Sequence, residues 1–266
     1  MSSADQMHLD VVAEGVGALV LDRPDRMNAL STRMIDELLP SLCREADGRN
    51  DIQVLVVTGA GGNFCAGADV EERLTSVQQR LTREAEGRQP DLGAFVLPVL
   101  DVKKPTIAAV DGMAAGGGLA LALACDIRVG STRARFCAPF VRRALVPDSG
   151  LTETLIRAVG LGSALDLCLT GRVVEADEAA RIGLVQRLHH EDEIWAETID
   201  LAARIARGPQ EAVRLTKRAL VRGRREEVAD ALVRESWFQS SCMRDPDFAE
   251  GVSSFLEKRP PKFRGA

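Results

Sequence analysis

Thr106-Ile107-Ala108-Ala109-Val110-Asp111-Gly112-Met113-Ala114-Ala115-Gly116-Gly117-Gly118-Leu119-Ala120-Leu121-Ala122 runs from a strand into a helix through a glycine triplet. Thr106 to Val110 carries no charge, the pattern of a strand buried on both faces, and Gly116-Gly117-Gly118 opens a small-residue helix over Leu119 to Ala124. Upstream, Ile52-Gln53-Val54-Leu55-Val56-Val57-Thr58 has the same character and leaves through a second glycine-rich loop, Gly59 to Asp69. Two such loops, each following a parallel-type strand, present backbone N–H groups at one end of a sheet. Glycine lets that backbone approach a ligand closely, and two N–H groups aimed at one oxygen form an oxyanion hole. On glycine content alone, tight turns and close helix packing account for Gly67 and Gly116 to Gly118 equally well.

Outward from this centre, His8–Val12 and Val16–Leu21 read as a β-hairpin, Asp22-Arg23-Pro24-Asp25 as a turn, and Met34, Ile35, Leu38, Leu39 and Leu42 as one face of a helix. Ile127-Arg128-Val129 and Ala134 to Cys137 read as short strands, and Thr75 to Gly93 as an exposed helix and loop. From Thr152 onward the pattern is helical, with one strand near Val185 to Leu188 and a basic tail at Lys258 to Arg264. Strands alternating with helices, then helices alone, predict an α/β core over 1–205 and a helical region over 206–266.

The chain has 266 residues, 45% hydrophobic, and a net charge of 34 − 39 = −5. That balance excludes a disordered chain and a generalised binder of nucleic acid or anionic membranes. The opening lacks a basic segment followed by an apolar core, and the longest apolar stretch, Thr106 to Ile127, is broken by Asp111 and four glycines. A cytoplasmic protein with no membrane span is expected. The six cysteines include no C-x-x-C pair and read as small core residues; His8, His189 and His190 read as solvated. No phosphate-loop, H-E-x-x-H or G-x-S-x-G pattern occurs, so neither a metal nor a separate cofactor is expected.

In order and spacing, Asn28-Ala29-Leu30-Ser31, Phe64 to Val70, Lys104 to Gly112 and Ala115 to Ala122 resemble the enoyl-CoA hydratase/isomerase (crotonase) family. So do Cys125 to Arg128, Leu169 to Arg172, Ala179 to Val185 and Glu250 to Arg259, and the resemblance spans nearly the whole chain. It implies a spiral of ββα units with a C-terminal trimerisation region, a homotrimer or dimer of trimers, and an acyl-CoA substrate that brings its own coenzyme A. By the resemblance, the thioester carbonyl sits between the N–H groups of Ala68 and Gly117. Ala66 to Asp69 then runs along the adenine and pantetheine, Arg26 lies near the phosphates, Gly116 and Phe140 belong to the substrate site, and Phe255 and Lys258 close over the coenzyme, commonly from a neighbouring subunit.

Hydratases of the family carry two glutamates where this chain has Ala120 and Phe140. Adding water across a double bond needs a group to activate the water and a proton for the α-carbon, and neither side chain supplies them. A carboxylate does occur nearby, at Asp148 in Leu145-Val146-Pro147-Asp148-Ser149-Gly150. The pattern fits a helix N-cap and a catalytic acid equally. Ala120, Phe140 and V-P-D-S-G together resemble the phenylacetate-pathway epoxide/oxepin-CoA isomerase and the Δ3,Δ2-enoyl-CoA isomerases, which implies a double-bond isomerase with Asp148 as proton carrier. The alternatives are a non-catalytic acyl-CoA-binding protein, a weak hydratase using Asp148, and, last, a dehalogenase-like enzyme, whose histidine has no counterpart in residues 60–110. Arg142-Arg143 reads first as a solvated pair, then as a binder of an acidic substrate tail or the coenzyme phosphates.

Overall fold

The computed structural model describes residues 6–70, 72 and 93–264. An antiparallel hairpin, β1 (Met7–Ala13) and β2 (Gly15–Leu21), opens it, with Met7 opposite Leu21 and His8 opposite Val20. A π-helical turn over Met34–Leu38 then leads into α1 (Leu39–Gly48). The apolar spacing predicts one regular helix here; Pro40 has no N–H to give the carbonyl one turn back, which interrupts the α ladder at this joint. Next come β3 (Ile52–Gly59), α2 (Leu97–Asp101), β4 (Thr106–Val110), β5 (Met113–Ala115), α3 (Gly117–Ala124), β6 (Ile127–Ser131) and β7 (Arg135–Cys137). The second half holds α4 (Leu151–Thr170), β8 (Val173–Glu175), α5 (Ala176–Arg181), β9 (Arg187–His189), α6 (Ile194–Ala206), α7 (Gln210–Leu220), α8 (Arg224–Arg244) and α9 (Pro246–Leu256). Of the predicted segment Thr75 to Gly93, all but Gly93 lies outside the described residues.

The strands form two sheets, ordered β1-β2-β3-β4-β6-β9 and β5-β7-β8. Beyond the first hairpin the larger sheet is parallel, with Leu55 opposite Thr106 and Ile107 opposite Ile127. β4 and β6 are each followed directly by a strand of the small sheet, β5 and β7, so the chain steps from one sheet to the other before its next helix. Period-two alternation then sorts the buried strands between two cores. Leu19, Leu55, Val57, Ala108 and Val110 face one; Val16, Val54, Val56, Ile107 and Ala109 face the other, which Ile194, Leu201 and Ala202 of α6 cover. The unbroken apolar run in β3 is thus explained: both of its faces are dry.

Three strands depart from expectation: β5 was not predicted, β8 was missed and β9 is shifted. β8 was hidden because Val173-Val174-Glu175 is too short to show a period, and antiparallel pairing with β7 holds it. The strand predicted near Val185 to Leu188 lies at Arg187–His189, so His189 sits in a strand and is only partly exposed, not solvated. All six cysteines are free, and burial pushes the thiols of Cys43, Cys65 and Cys125 up to about 12. Among the described residues no helix is long and apolar enough to cross a membrane. The 205/206 division falls at the end of α6; beyond it, α8 folds back onto α2 and α4, and α9 onto the 3-10 turn Phe140–Arg143.

Every residue of α3 is buried, and its small side chains bring it against the loop before Ala68. A Cβ on Gly118 would lie 2.1 Å from the Cys65 carbonyl oxygen, a backbone atom that cannot step aside. Gly118→Ala is therefore expected to lower the thermal midpoint by several degrees, on the order of 2–3 kcal/mol for an overpacked core, and differential scanning calorimetry reads it. A midpoint within one degree of native would contradict this packing.

Candidate active site

Backbone hydrogen bonds stitch the two glycine loops together. Cys65 N–H donates to Met113 O (2.9 Å), Ala115 N–H to Cys65 O (2.9 Å), and Gly116 N–H to Cys137 O (3.0 Å). Gly116 takes φ 52°, ψ −118°, and Gly67 φ 101°, conformations that favour glycine. A Cβ on Gly67 would approach the Gly117 nitrogen to 3.4 Å, and one on Gly117 the Ala68 nitrogen to 3.7 Å, so the two amides border one small space. Gly117 is the first residue of α3, where an N–H has no intrahelical acceptor. Neither it nor the Ala68 N–H donates to an acceptor among the described residues. Both line an apolar pocket.

Asp148 lines the same pocket. Its Oδ1 accepts from Ser149 Oγ (2.9 Å) and its Oδ2 from Gln239 Nε2 (3.1 Å). Gln239 Oε1 accepts the Val146 N–H (3.0 Å), which fixes which end of the amide faces the carboxylate. Ser149 is left-handed, at φ 61°, a conformation costing a residue with a Cβ about 1–2 kcal/mol, and Gly93 packs directly against its backbone. The N-cap alternative for Asp148 is not what the structure shows. α4 begins at Leu151 after Gly150, with no side-chain cap from its own segment.

The start of α4 is held by Glu235 of α8 instead. Gly150 N–H donates to its Oε2 (2.8 Å), while the Thr152 N–H (2.9 Å) and hydroxyl (2.6 Å) donate to Oε1. Glu235 is buried, and burial pushes its pKa above the ordinary glutamate value against the opposing pull of these donors; the neighbouring charge of Asp148 adds to the rise. With the helix end satisfied from elsewhere, the Asp148 carboxylate is left to the pocket.

The other residues singled out in the sequence divide. Ala66, Gly116, Phe140 and Phe255 line the pocket with Ala68, Gly117 and Asp148. Asp69 does not: it is buried and its carboxylate faces Arg23 at 3.0 Å. Arg26 is exposed in the 3-10 turn Pro24–Arg26, one residue before Met27, whose carbonyl accepts the Ala66 N–H (2.9 Å). Lys258 is exposed just past α9 and outside the pocket wall. Arg142 and Arg143 part company, the first exposed and the second in the wall. Ala120 is fully buried within α3.

Glu235 and Gln239 are the residues that sequence reasoning missed as parts of the site, while Arg143, read first as solvated, stands in the pocket wall. A signal for the missed pair exists in α8. Its buried stripe runs Val228, Ala231, Leu232, Glu235, Ser236, Gln239, Ser240, keeping helical spacing while turning from apolar to polar. Polar side chains on a buried stripe must find partners, and Glu235 and Gln239 find theirs in residues 146–152.

The family model of enoyl-CoA hydratase/isomerase matches residues 12–266. The chain is 36% identical over 248 residues to a probable enoyl-CoA hydratase of Mycobacterium bovis, covering 93% of this chain and 94% of that one. It is 36% identical over 252 residues to a crotonyl-CoA hydratase of Syntrophomonas wolfei, covering 94% and 95%. The crystal structure of an enoyl-CoA hydratase/isomerase from Pseudoalteromonas atlantica superposes with a TM-score of 0.85 at 30% identity, covering 97% of this chain and 100% of that one. With the two stitched glycine loops and the step between sheets already in place, this chain belongs to the enoyl-CoA hydratase/isomerase family and has the crotonase fold.

Proposed function

We propose that the protein moves the double bond of a 3-enoyl-CoA into conjugation with the thioester, with Asp148 as the proton carrier. The observation behind this reading is one carboxylate among the described residues of the pocket, held by Ser149 and Gln239, with Ala120 and Phe140 at the two positions where the family resemblance places the hydratase glutamates. Asp148 removes a proton from C2, and the C–H electrons shift onto the thioester oxygen. That oxygen accepts from the Ala68 and Gly117 N–H groups, each such donor contributing about 3 kcal/mol to the transition state. The dienolate then collapses, the same carboxyl returns the proton at C4, and the product is the 2-enoyl-CoA. Coenzyme A arrives as part of the substrate.

A second reading rests on the relatives, which are named hydratases. In it, Asp148 activates a water for addition to a 2-enoyl-CoA. One pair of assays separates the two: absorbance of the conjugated thioester rises when a 3-enoyl-CoA is isomerised and falls when a 2-enoyl-CoA is hydrated. We expect the rise to exceed the fall by at least about tenfold in kcat/KM, which amounts to about 1.4 kcal/mol in transition-state preference. The reverse order sinks the isomerase reading. Tight thioester binding with neither reaction would identify a binding protein.

For assembly we propose a homotrimer, or two stacked trimers, built on the outer sides of the packed helices α4 and α8. Leu161, Leu165 and Leu169 recur at every fourth position and are 58%, 48% and 69% exposed, and Trp237 and Phe238 are each 62% exposed. Apolar side chains so grouped mark an interaction surface. Trp237→Asp combined with Phe238→Asp is expected to shift the sedimentation coefficient of the native assembly to that of a monomer. A monomeric native protein would overturn the proposal.

A further inference from the structure

Among the described residues that line the pocket, Asp148 and Arg143 are the ionisable ones, and they are not paired with each other. The rest of the wall near Arg143 is apolar, with Phe248, Val252 and Phe255 from α9. Its placement is deliberate in the packing. A Cβ on Gly251 would meet the Arg143 carbonyl carbon and oxygen at 2.5 Å, so α9 rests directly on the Arg143 backbone. One turn later in α9, Phe255 places its ring 4.1 Å from the guanidinium carbon. Adjacent Arg142 shows the ordinary fate of such a residue, at the surface.

Among the described residues no carboxylate lies within ion-pair distance of Arg143, and burial lowers its pKa. The group nonetheless stays charged at neutral pH, since a guanidinium does not release its proton in proteins. A ring face offsets only part of the cost of drying a cation, and a purely hydrocarbon acyl chain would offset none of the remainder. An oxyanion entering the pocket would accept the guanidinium N–H groups and supply the missing partner.

Resting on the acyl-CoA reading above, we infer that Arg143 selects an acyl group whose far end carries a second carboxylate, a dicarboxylic mono-CoA thioester. The coenzyme phosphates share this chemistry, so the experiment must separate the two. Saturated thioesters do so without any turnover: glutaryl-CoA and adipoyl-CoA against butyryl-CoA and hexanoyl-CoA, with free coenzyme A alongside, titrated calorimetrically into the native protein and into Arg143→Gln and Arg143→Lys. The native protein is expected to bind at least one dicarboxylic thioester roughly 10-fold or more tightly than its neutral counterpart. Arg143→Gln should abolish that preference while changing affinity for the neutral thioesters and free coenzyme A by less than about threefold. Arg143→Lys should retain part of it.

Equal weakening of every thioester and of coenzyme A would assign Arg143 to the phosphates and overturn the inference. No preference in the native protein would overturn it without any variant, so it does not depend on Arg143→Gln folding. A preference that survives in a protein lacking isomerase activity would leave this inference standing and sink only the reaction proposed above. Failure to bind any thioester would remove both.

Discussion

Asp148→Asn is expected to lower kcat for 3-enoyl-CoA isomerisation by at least about 10³-fold while leaving thioester affinity within about threefold of native. General-base catalysis by a positioned side chain contributes roughly 10²–10⁴-fold, and here the same group both removes and returns the proton. Asparagine keeps the shape: its Oδ1 can accept from Gln239 Nε2 and its Nδ2 can donate to the Ser149 hydroxyl oxygen, the two partners of the native carboxylate. It cannot accept a carbon-bound proton. Binding should persist because the Ala68 and Gly117 amides come from the backbone and the apolar wall is untouched. The helix should persist too, because Glu235, not Asp148, holds the start of α4. Appearance of the conjugated thioester measures turnover, and calorimetric titration measures affinity. Substantial isomerisation by Asp148→Asn would place the proton on another group and end the mechanism.

Glu235→Leu is expected to destabilise the fold by about 3 kcal/mol or more, the largest stability effect we anticipate from a single site. The substitution leaves the N–H groups of Gly150 and Thr152 and the Thr152 hydroxyl without their acceptor, and each unsatisfied buried donor costs about 1–3 kcal/mol. At roughly 2–4 °C per kcal/mol for chains of 150–250 residues, the thermal midpoint falls by several degrees. Activity should fall with it, since Asp148 lies between Val146, tied to Gln239, and Gly150, tied to Glu235.

The same residue carries a pH signature. Its pKa is raised in the folded state, mainly by burial, above its ordinary value of 4.5. Between those two values the native protein holds a proton that the unfolded chain has released, so this contribution to stability is present in acid and lost as pH rises through the folded value. Glu235→Gln should remove that downward component of the midpoint-against-pH curve on the alkaline side of pH 4.5. Identical slopes in native protein and variant would show that Glu235 titrates as an exposed glutamate does.

Much of the framework follows from local pattern. The uncharged runs of β3 and β4 announce strands dry on both faces, and their alternation between two cores is the period of two doing its ordinary work. The glycine loops were plain in the sequence, but glycine content alone left tight turns equally open; the family resemblance named the Ala68 and Gly117 amides, and the structure shows Gly67 and Gly116 in left-handed backbone beside them. The residues at 120 and 140 were equally plain: alanine and phenylalanine carry no proton, whatever surrounds them. β8 escaped because three residues are too few to show a period.

Local pattern and the family resemblance thus account for the main strands of the larger sheet, the paired glycine loops and the family. The partners of the charged side chains were not legible there. By local pattern Asp148 reads equally as a cap or an acid, and the resemblance favours the acid; α8, packed on α4, brings Glu235 to the helix end and Gln239, 91 residues away in the chain, to the carboxylate, which supports the proposed role. Arg142 and Arg143 are chemically identical neighbours, and only the seating of α9 sends one to solvent and the other into the pocket. The physical reason is range: backbone preference and hydrophobic period act over a few residues and are written in the local sequence. A charged group's duty depends on which partner reaches it, and that partner is supplied by the packing of distant helices.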